Sequence, residues 1–185
     1  TSYYDDLTLF RSGLLDQKEY LERLSKLIDS YRKTPGRFVQ SLSESSFDAW
    51  IKFTHPTPHS PNTTISFYSK GALVSLLLDL HIRKQSKGQT SMDELMRRLY
   101  KGFPLGGAGY TEDDLQQLVA ELTGEDAGSF FDSFISGVTP LDLEHALRDV
   151  GLSLALKDDE EAEEGGNSEA YLGLNLKGNT VSTVL

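Results

Sequence analysis

The chain has 185 residues, a formal net charge of −10, 38% hydrophobic residues and no cysteine. This length and composition suit one ordinary domain with a sizeable core. The acidic balance argues against nucleic acid or an anionic membrane surface as partner, because both bind clustered Lys and Arg. The absence of cysteine excludes disulfides, thiolate metal sites and cysteine nucleophiles.

The beginning of the chain is predicted to be helical. Residues 1–11 read as the end of a helix that Gly13 closes in the left-handed conformation. Asp16 and Glu19 have the spacing of a capping box. An apolar stripe with helical periodicity follows them, and this second helix is expected to end at Thr34.

The central part of the chain is predicted to hold its core helix. Ser45 and Ser46 are expected to cap a short helix, and a proline-broken loop follows over residues 54–63. A long helix then runs from about Ser66 to Lys87. Because it is apolar nearly all round, it is expected to be the buried central helix. No apolar run reaches about 18 residues, so no membrane span is predicted.

Further helices complete the all-α region. Ser91 is expected to cap one helix, and Thr111 the next, which Gly124 ends. Phe131 lies on a further short helix, and Pro140 is expected at the first turn of the last one.

The chain is predicted to divide into three parts. Residues 1–152 are expected to form the helical region, and residues 153–169 an acidic linker. Seven of the acidic residues lie within this linker, against one Lys. Residues 170–185 read as a β-hairpin, which is marginal in water by itself. The chain does not begin with Met, and it stops within a strand-like run. We therefore expect it to be part of a longer protein.

No metal site is expected from these residues. The chain contains four histidines but no HExxH motif. His55 and His59 are four residues apart, but the prolines between and after them prevent the helix that would put both on one face. Solvated loop histidines are therefore the better interpretation.

One group of residues has a chemical interpretation. Tyr68 begins the long apolar helix beside the proline-rich loop, with Lys70 and the small Gly71 close behind it. A phenol at a helix start can point into a cleft and donate a hydrogen bond to a developing oxyanion without carrying charge. A core tyrosine with a solvated hydroxyl is the competing interpretation.

Several sequence blocks resemble the glycyl aminopeptidase family of gluzincin zinc metallopeptidases. The first seven residues, Thr1 to Leu7, resemble the segment that follows the third zinc ligand of the family. The helix start that contains Tyr68, Lys70 and Gly71 is similar to the family's Tyr-x-Lys-Gly motif. The remaining blocks that resemble the family are residues 34–37, 40–42 and 46–52. The resemblance implies a mainly α fold, the multi-helix C-terminal half of a thermolysin-like catalytic domain.

The resemblance also implies an activity for the parent protein. It would be a zinc aminopeptidase that releases N-terminal Gly or Ala from peptide substrates, with Tyr68 stabilising the oxyanion. Thr1 and Tyr3 would support the third zinc ligand, a Glu that this chain lacks. Lys70 and Gly71 would position the helix that begins at Tyr68. All three zinc ligands and the general base of the family are absent from the sequence. This chain alone is therefore expected to bind no zinc and to be inactive.

The end of the chain resembles the first hairpin of a truncated bacterial PDZ domain, in which Leu172 and Gly173 would help to form the carboxylate-binding loop. A soluble protein of the bacterial cytoplasm or periplasm is the expectation. The alternative function is a non-enzymatic helical interaction module attached to a PDZ-like peptide-binding domain.

Overall fold

The structure, a computed structural model, describes residues 1–155 and the backbone of residues 174–177 and 180–184. Residues 1–155 contain nine α-helices, a 3₁₀ turn and one π-helical turn, and contain no strand. The helices are α1 Ser2–Arg11, α2 Gln17–Lys33, α3 Leu42–Phe47, α4 Ser60–Thr63, α5 Phe67–Gln85, α6 Met92–Gly102, α7 Glu112–Thr123, α8 Gly128–Phe134 and α9 Leu143–Arg148. The 3₁₀ turn is Pro35–Phe38, and the π-helical turn is Ala49–Phe53. The mainly α prediction is confirmed for this part of the chain.

Short polar side chains cap several of the helices at the predicted positions. Asp16 forms the predicted capping box with Glu19 at the start of α2. Ser66 and Thr111 cap α5 and α7 by accepting hydrogen bonds from backbone N–H groups of the first turn. Gly124 ends α7 with a φ of 75°, a conformation that other residues adopt only at a cost.

Two predicted helix starts are wrong. The cap of α3 is Ser41, which forms a capping box with Glu44, whereas Ser45 is buried and donates its hydroxyl proton to a backbone carbonyl elsewhere. The last helix begins after Asp142, whose side chain accepts a hydrogen bond from the third residue of α9, and not at Pro140. In both cases a competing side chain caps the helix in the tertiary structure.

Helix α5 joins two hydrophobic clusters. Its first half, including Leu73 and Leu77, packs with α2 and α9. Its second half, including Leu78 and Ile82, packs with α6, α7 and Phe131 of α8. Leu73 and Ile82 are completely buried, as expected for a helix with no polar face.

The apolar character of this helix also matters for membranes. The stretch Ser60–Gln85 is long and apolar enough to span a bilayer on length and composition, although the sequence predicted no such segment. However, 56% of its most apolar window is buried inside the protein, which is typical of a core helix. The central position of α5 therefore explains its hydropathy.

A buried carboxylate on α5 connects three helices. Asp79 is 4% exposed and accepts hydrogen bonds from the Tyr3 hydroxyl of α1 at 2.7 Å, from Arg83 Nε at 3.0 Å and from the Met92 backbone N–H of α6 at 2.7 Å. Burial, together with the hydrogen bond to Asp79, raises the pKa of the Tyr3 phenol well above its ordinary value. Tyr3 therefore remains a donor, and the buried charge of Asp79 is compensated.

Two short strands pair within residues 174–184. The strand β1 Leu174–Lys177 pairs antiparallel with β2 Thr180–Val184, with an irregularity between Asn175 and Leu176. Most of the predicted acidic linker lies outside the described residues. The PDZ assignment of the strands stays a prediction.

We expect Tyr3→Phe to cost more stability than Tyr4→Phe. Tyr3 loses a hydrogen bond to the buried Asp79, with an expected cost of about 1.5–3 kcal/mol. Tyr4 loses a 2.7 Å hydrogen bond to the half-buried Asp93, which Arg11 also contacts, with an expected cost of about 0.5–1.5 kcal/mol. Chemical denaturation of both variants measures the difference, and equal costs would contradict the role of Asp79.

Candidate functional site

Tyr68 lies in the first turn of α5 with an accessible ring. The turn is fixed by Ser66, whose Oγ accepts a hydrogen bond from the Ser69 N–H at 3.3 Å. The side chain of Tyr68 is 53% exposed, so its hydroxyl is not sealed in the core. The sequence-based alternative, a core tyrosine, does not describe this position.

Tyr68 borders a cleft of about 390 Å³, hereafter the Tyr68 cleft. Thr1, Tyr3 and Gly71 line the same cleft. Its remaining lining includes core side chains and the exposed Met96 and Tyr110. Among the described residues, no side chain that lines it is charged, so this part of the cleft suits uncharged groups.

Two phenylalanines surround the ring of Tyr68. Phe67 lies 4.1 Å from it between ring centroids, in a tilted arrangement. Phe53, at the end of the π-helical turn, meets it edge-on at 5.7 Å and meets Phe67 at 5.3 Å. Within residues 1–155, the Tyr68 hydroxyl forms no hydrogen bond. Ring packing is thus what orients this side chain.

A buried polar cluster fixes the chain before α5. The Gln40 side chain accepts a hydrogen bond from the Ile65 backbone N–H at 3.0 Å, and the Ser45 hydroxyl donates to the Ile65 carbonyl. Lys70 is completely buried, and its Nζ donates a hydrogen bond to the backbone carbonyl of Gln40 at 3.3 Å. These contacts hold the start of α5, and with it Tyr68, against the segment before α3.

A direct backbone contact supports the same region. Gly36 lies in the 3₁₀ turn, and a Cβ atom placed on it would be 2.1 Å from the carbonyl oxygen of Thr64. No side chain fits between these backbones. The Thr34-Pro35-Gly36 block of the sequence therefore packs directly beneath the entry to α5.

Residues 1–74 match the family model of the M61 glycyl aminopeptidases. The match ends within α5 and includes Tyr68, Lys70 and Gly71. No match was found among curated proteins.

A solved structure extends the likeness over most of the chain. The crystal structure of an aminopeptidase N family protein from Idiomarina loihiensis is 33% identical to the chain and covers 81% of it, with a TM-score of 0.76. The chain covers only 26% of that protein. This chain therefore corresponds to about a quarter of the length of that aminopeptidase N family protein.

The family resemblance predicts supporting roles for four other residues. Tyr3 borders the cleft, but its hydroxyl is bonded to Asp79. Thr1 is exposed at the cleft, where its carbonyl accepts the first hydrogen bonds of α1. Lys70 does not line the cleft, since it points into the buried polar cluster.

Gly71 does line the cleft, yet no close packing requires a glycine there. A Cβ atom on Gly71 would meet only Leu42 Cδ1 within 4 Å, at an ordinary contact distance of 3.7 Å. Packing among the described residues therefore does not require a residue as small as glycine at position 71. Leu172 and Gly173, the predicted carboxylate-binding loop, lie outside the described residues and stay a prediction.

The described residues do not fit a zinc site. Among residues 1–155, no group of three or more His, Asp or Glu side chains is placed to hold a metal ion. His55 and His59 are exposed in the proline-rich loop, where they contact Thr54 and Asn62. A catalytic zinc needs about three protein ligands, so these residues cannot supply it.

Sequence reasoning missed three residues of this region. Asp79 carried a usable signal, because it is the one acidic residue within the apolar helix α5. Gln40 lies in a block that resembles the family, but nothing in that block indicated its contacts, and Phe53 carried no signal. The hydrogen-bond partners of Gln40 are Ile65 and Lys70, which lie 25 and 30 residues further along the chain. The position of Phe53 is set by a π-helical turn.

We expect Gly36→Ala to destabilise the chain by about 1–3 kcal/mol, because the new methyl group must displace the backbone of Thr64. Gly102→Ala is the matched control. It lies at the end of α6 with open space around the new methyl group, and should stabilise by about 0.4–1 kcal/mol. Chemical denaturation followed by far-UV circular dichroism measures both, and equal effects would contradict the proposed backbone contact.

Burial lowers the pKa of Lys70 below its ordinary value, and the negative charge of Glu44 opposes this only in part. The folded chain thus holds this proton less tightly than the unfolded chain, and this penalty disappears once both states are deprotonated. As pH rises from neutral toward the ordinary lysine pKa, wild type should therefore gain stability relative to Lys70→Met. Free energies of unfolding across this pH range test it, and a difference independent of pH would refute it.

Proposed function

We propose that this chain is part of a zinc-dependent aminopeptidase that releases small N-terminal residues, Gly or Ala, from peptides. The chain contributes Tyr68 and one wall of the cleft. The exposed position of Tyr68 at the Tyr68 cleft, within the stretch that matches the M61 family, carries this proposal. The preference for small residues rests on the family resemblance alone.

The phenol of Tyr68 would stabilise the transition state of amide hydrolysis. As the scissile carbonyl is attacked, negative charge develops on its oxygen, and a neutral hydroxyl can donate a hydrogen bond to it. The hydroxyl is free for this purpose, because it forms no hydrogen bond within residues 1–155. The described side chains of the cleft wall carry no charge that would compete for this hydrogen bond.

The zinc ion implied by this proposal would be held by ligands on polypeptide outside residues 1–155, since these residues offer no ligand cluster. The proposal therefore requires a HExxH motif, followed by a Glu close to Thr1, in the reading frame before Thr1. Reading that frame is the simplest check. A frame without the motif would favour the second candidate below.

The second candidate is a non-enzymatic interaction module attached to a PDZ-like domain. One observation favours it: Phe47, Trp50 and Ile51 are 90%, 84% and 72% exposed on neighbouring turns. Exposed apolar groups of this size commonly mark a surface that another polypeptide covers. The same surface is compatible with the first candidate, in which the rest of a longer catalytic domain would cover it.

We expect Tyr68→Phe to lower kcat of the intact enzyme by about 10²–10³, with the fold preserved, because only the oxyanion donor is removed. Hydrolysis of glycine anilide substrates measures this effect. Tyr100→Phe is the control, since Tyr100 is 80% exposed on α6 and does not line the cleft. Turnover by Tyr68→Phe that equals that of the control would remove Tyr68 from the mechanism.

A further inference from the structure

The segment beside Tyr68 has an unusual backbone. Residues Ala49–Phe53 form a π-helical turn, closed by a hydrogen bond from the Thr54 N–H to the Ala49 carbonyl at 3.2 Å. An ion pair of 2.6 Å between Lys52 and Asp48 spans the same turn. Isolated π-helical turns are rare and frequently occur at functional sites.

This turn directs one ring toward Tyr68 and another toward solvent. Trp50 is 84% exposed. Phe53 instead packs edge-on against Phe67 and Tyr68, with interplanar angles of 66° and 63°. Edge-to-face contact is a favourable geometry for aromatic rings, because the positive edge of one faces the negative face of the other.

The position of Tyr68 depends strongly on such contacts. Its side chain is half exposed, in the first turn of its helix, and its hydroxyl has no hydrogen-bond partner within residues 1–155. Without the two phenylalanine rings, several rotamers would be open to it. Phe67 is the neighbouring residue on α5, so Phe53 supplies the contact from a separate element.

The other side of Phe53 is not tightly packed. Phe53 also lines a second cavity of about 380 Å³, bordered by Gln40, Pro56 and Ile65 among others. Phe53 is 47% exposed, and its ring contacts among the described residues are with Phe67 and Tyr68. A smaller residue at position 53 would leave the ring of Tyr68 without its edge-on neighbour.

We propose that Phe53 is a positioning residue that holds the Tyr68 hydroxyl in its productive orientation. This inference rests on the proposed function, because it presumes that Tyr68 acts as the oxyanion donor. It adds that the π-helical turn is part of the catalytic site. Phe53 acts only through the ring of Tyr68 and touches no reacting atom.

The test is a double-mutant cycle in the intact enzyme. Phe53→Leu, which removes the ring but keeps an apolar side chain, should lower kcat by about 3- to 10-fold and leave KM nearly unchanged. Phe53→Tyr should retain activity close to wild type, since it keeps the ring. In a Tyr68→Phe background, Phe53→Leu should have almost no further effect, because the hydroxyl that it positions is already absent.

Tyr100→Leu is the control, since it removes an exposed ring on α6 that does not line the Tyr68 cleft. It should retain the kcat of wild type. Melting temperatures of all variants show whether any loss reflects unfolding.

The outcomes separate the two proposals. A large loss for Tyr68→Phe with an equal Phe53→Leu loss in both backgrounds would overturn the role of Phe53 alone. A change in KM without a change in kcat would do the same. No loss for Tyr68→Phe would overturn both the proposed function and this inference.

Discussion

A single buried carboxylate organises the helical domain. Asp79 lies in the middle of the apolar helix α5 and accepts hydrogen bonds from α1, from α6 and from its own helix. An ionised carboxylate in such a position is costly unless several donors compensate it. The packing of α1 and α6 against α5 is therefore tied to one set of hydrogen bonds, which also places Tyr3 at the edge of the Tyr68 cleft.

The start of α5 shows how the fold presents a polar group beside an apolar core. Lys70 and Gln40 are buried in a polar cluster on one side of the helix, and Tyr68 is exposed on another. The first turn is thereby fixed while the phenol stays accessible. This combination of a rigid backbone and an accessible donor is what preorganised stabilisation of a developing charge requires.

Much of the fold could be predicted because helix signals are local. The capping box of Asp16, the apolar pattern of α5 and the cap at Thr111 each act within a few residues. The predicted starts at Ser45 and Pro140 failed for the opposite reason. In both places the observed cap lies elsewhere, and the hydroxyl of Ser45 is taken up by the carbonyl of Ile65, 20 positions away.

The sequence by itself determined the helical class and the place of Tyr68 at the head of the central helix, because periodicity and capping are properties of neighbouring residues. Only the tertiary structure decided what surrounds that tyrosine. Phe53 reaches its ring from an irregular segment, and Gln40 fixes the start of its helix from 25 and 30 positions away along the chain. Such contacts arise because side-chain packing and the satisfaction of buried polar groups are settled between elements, not within them.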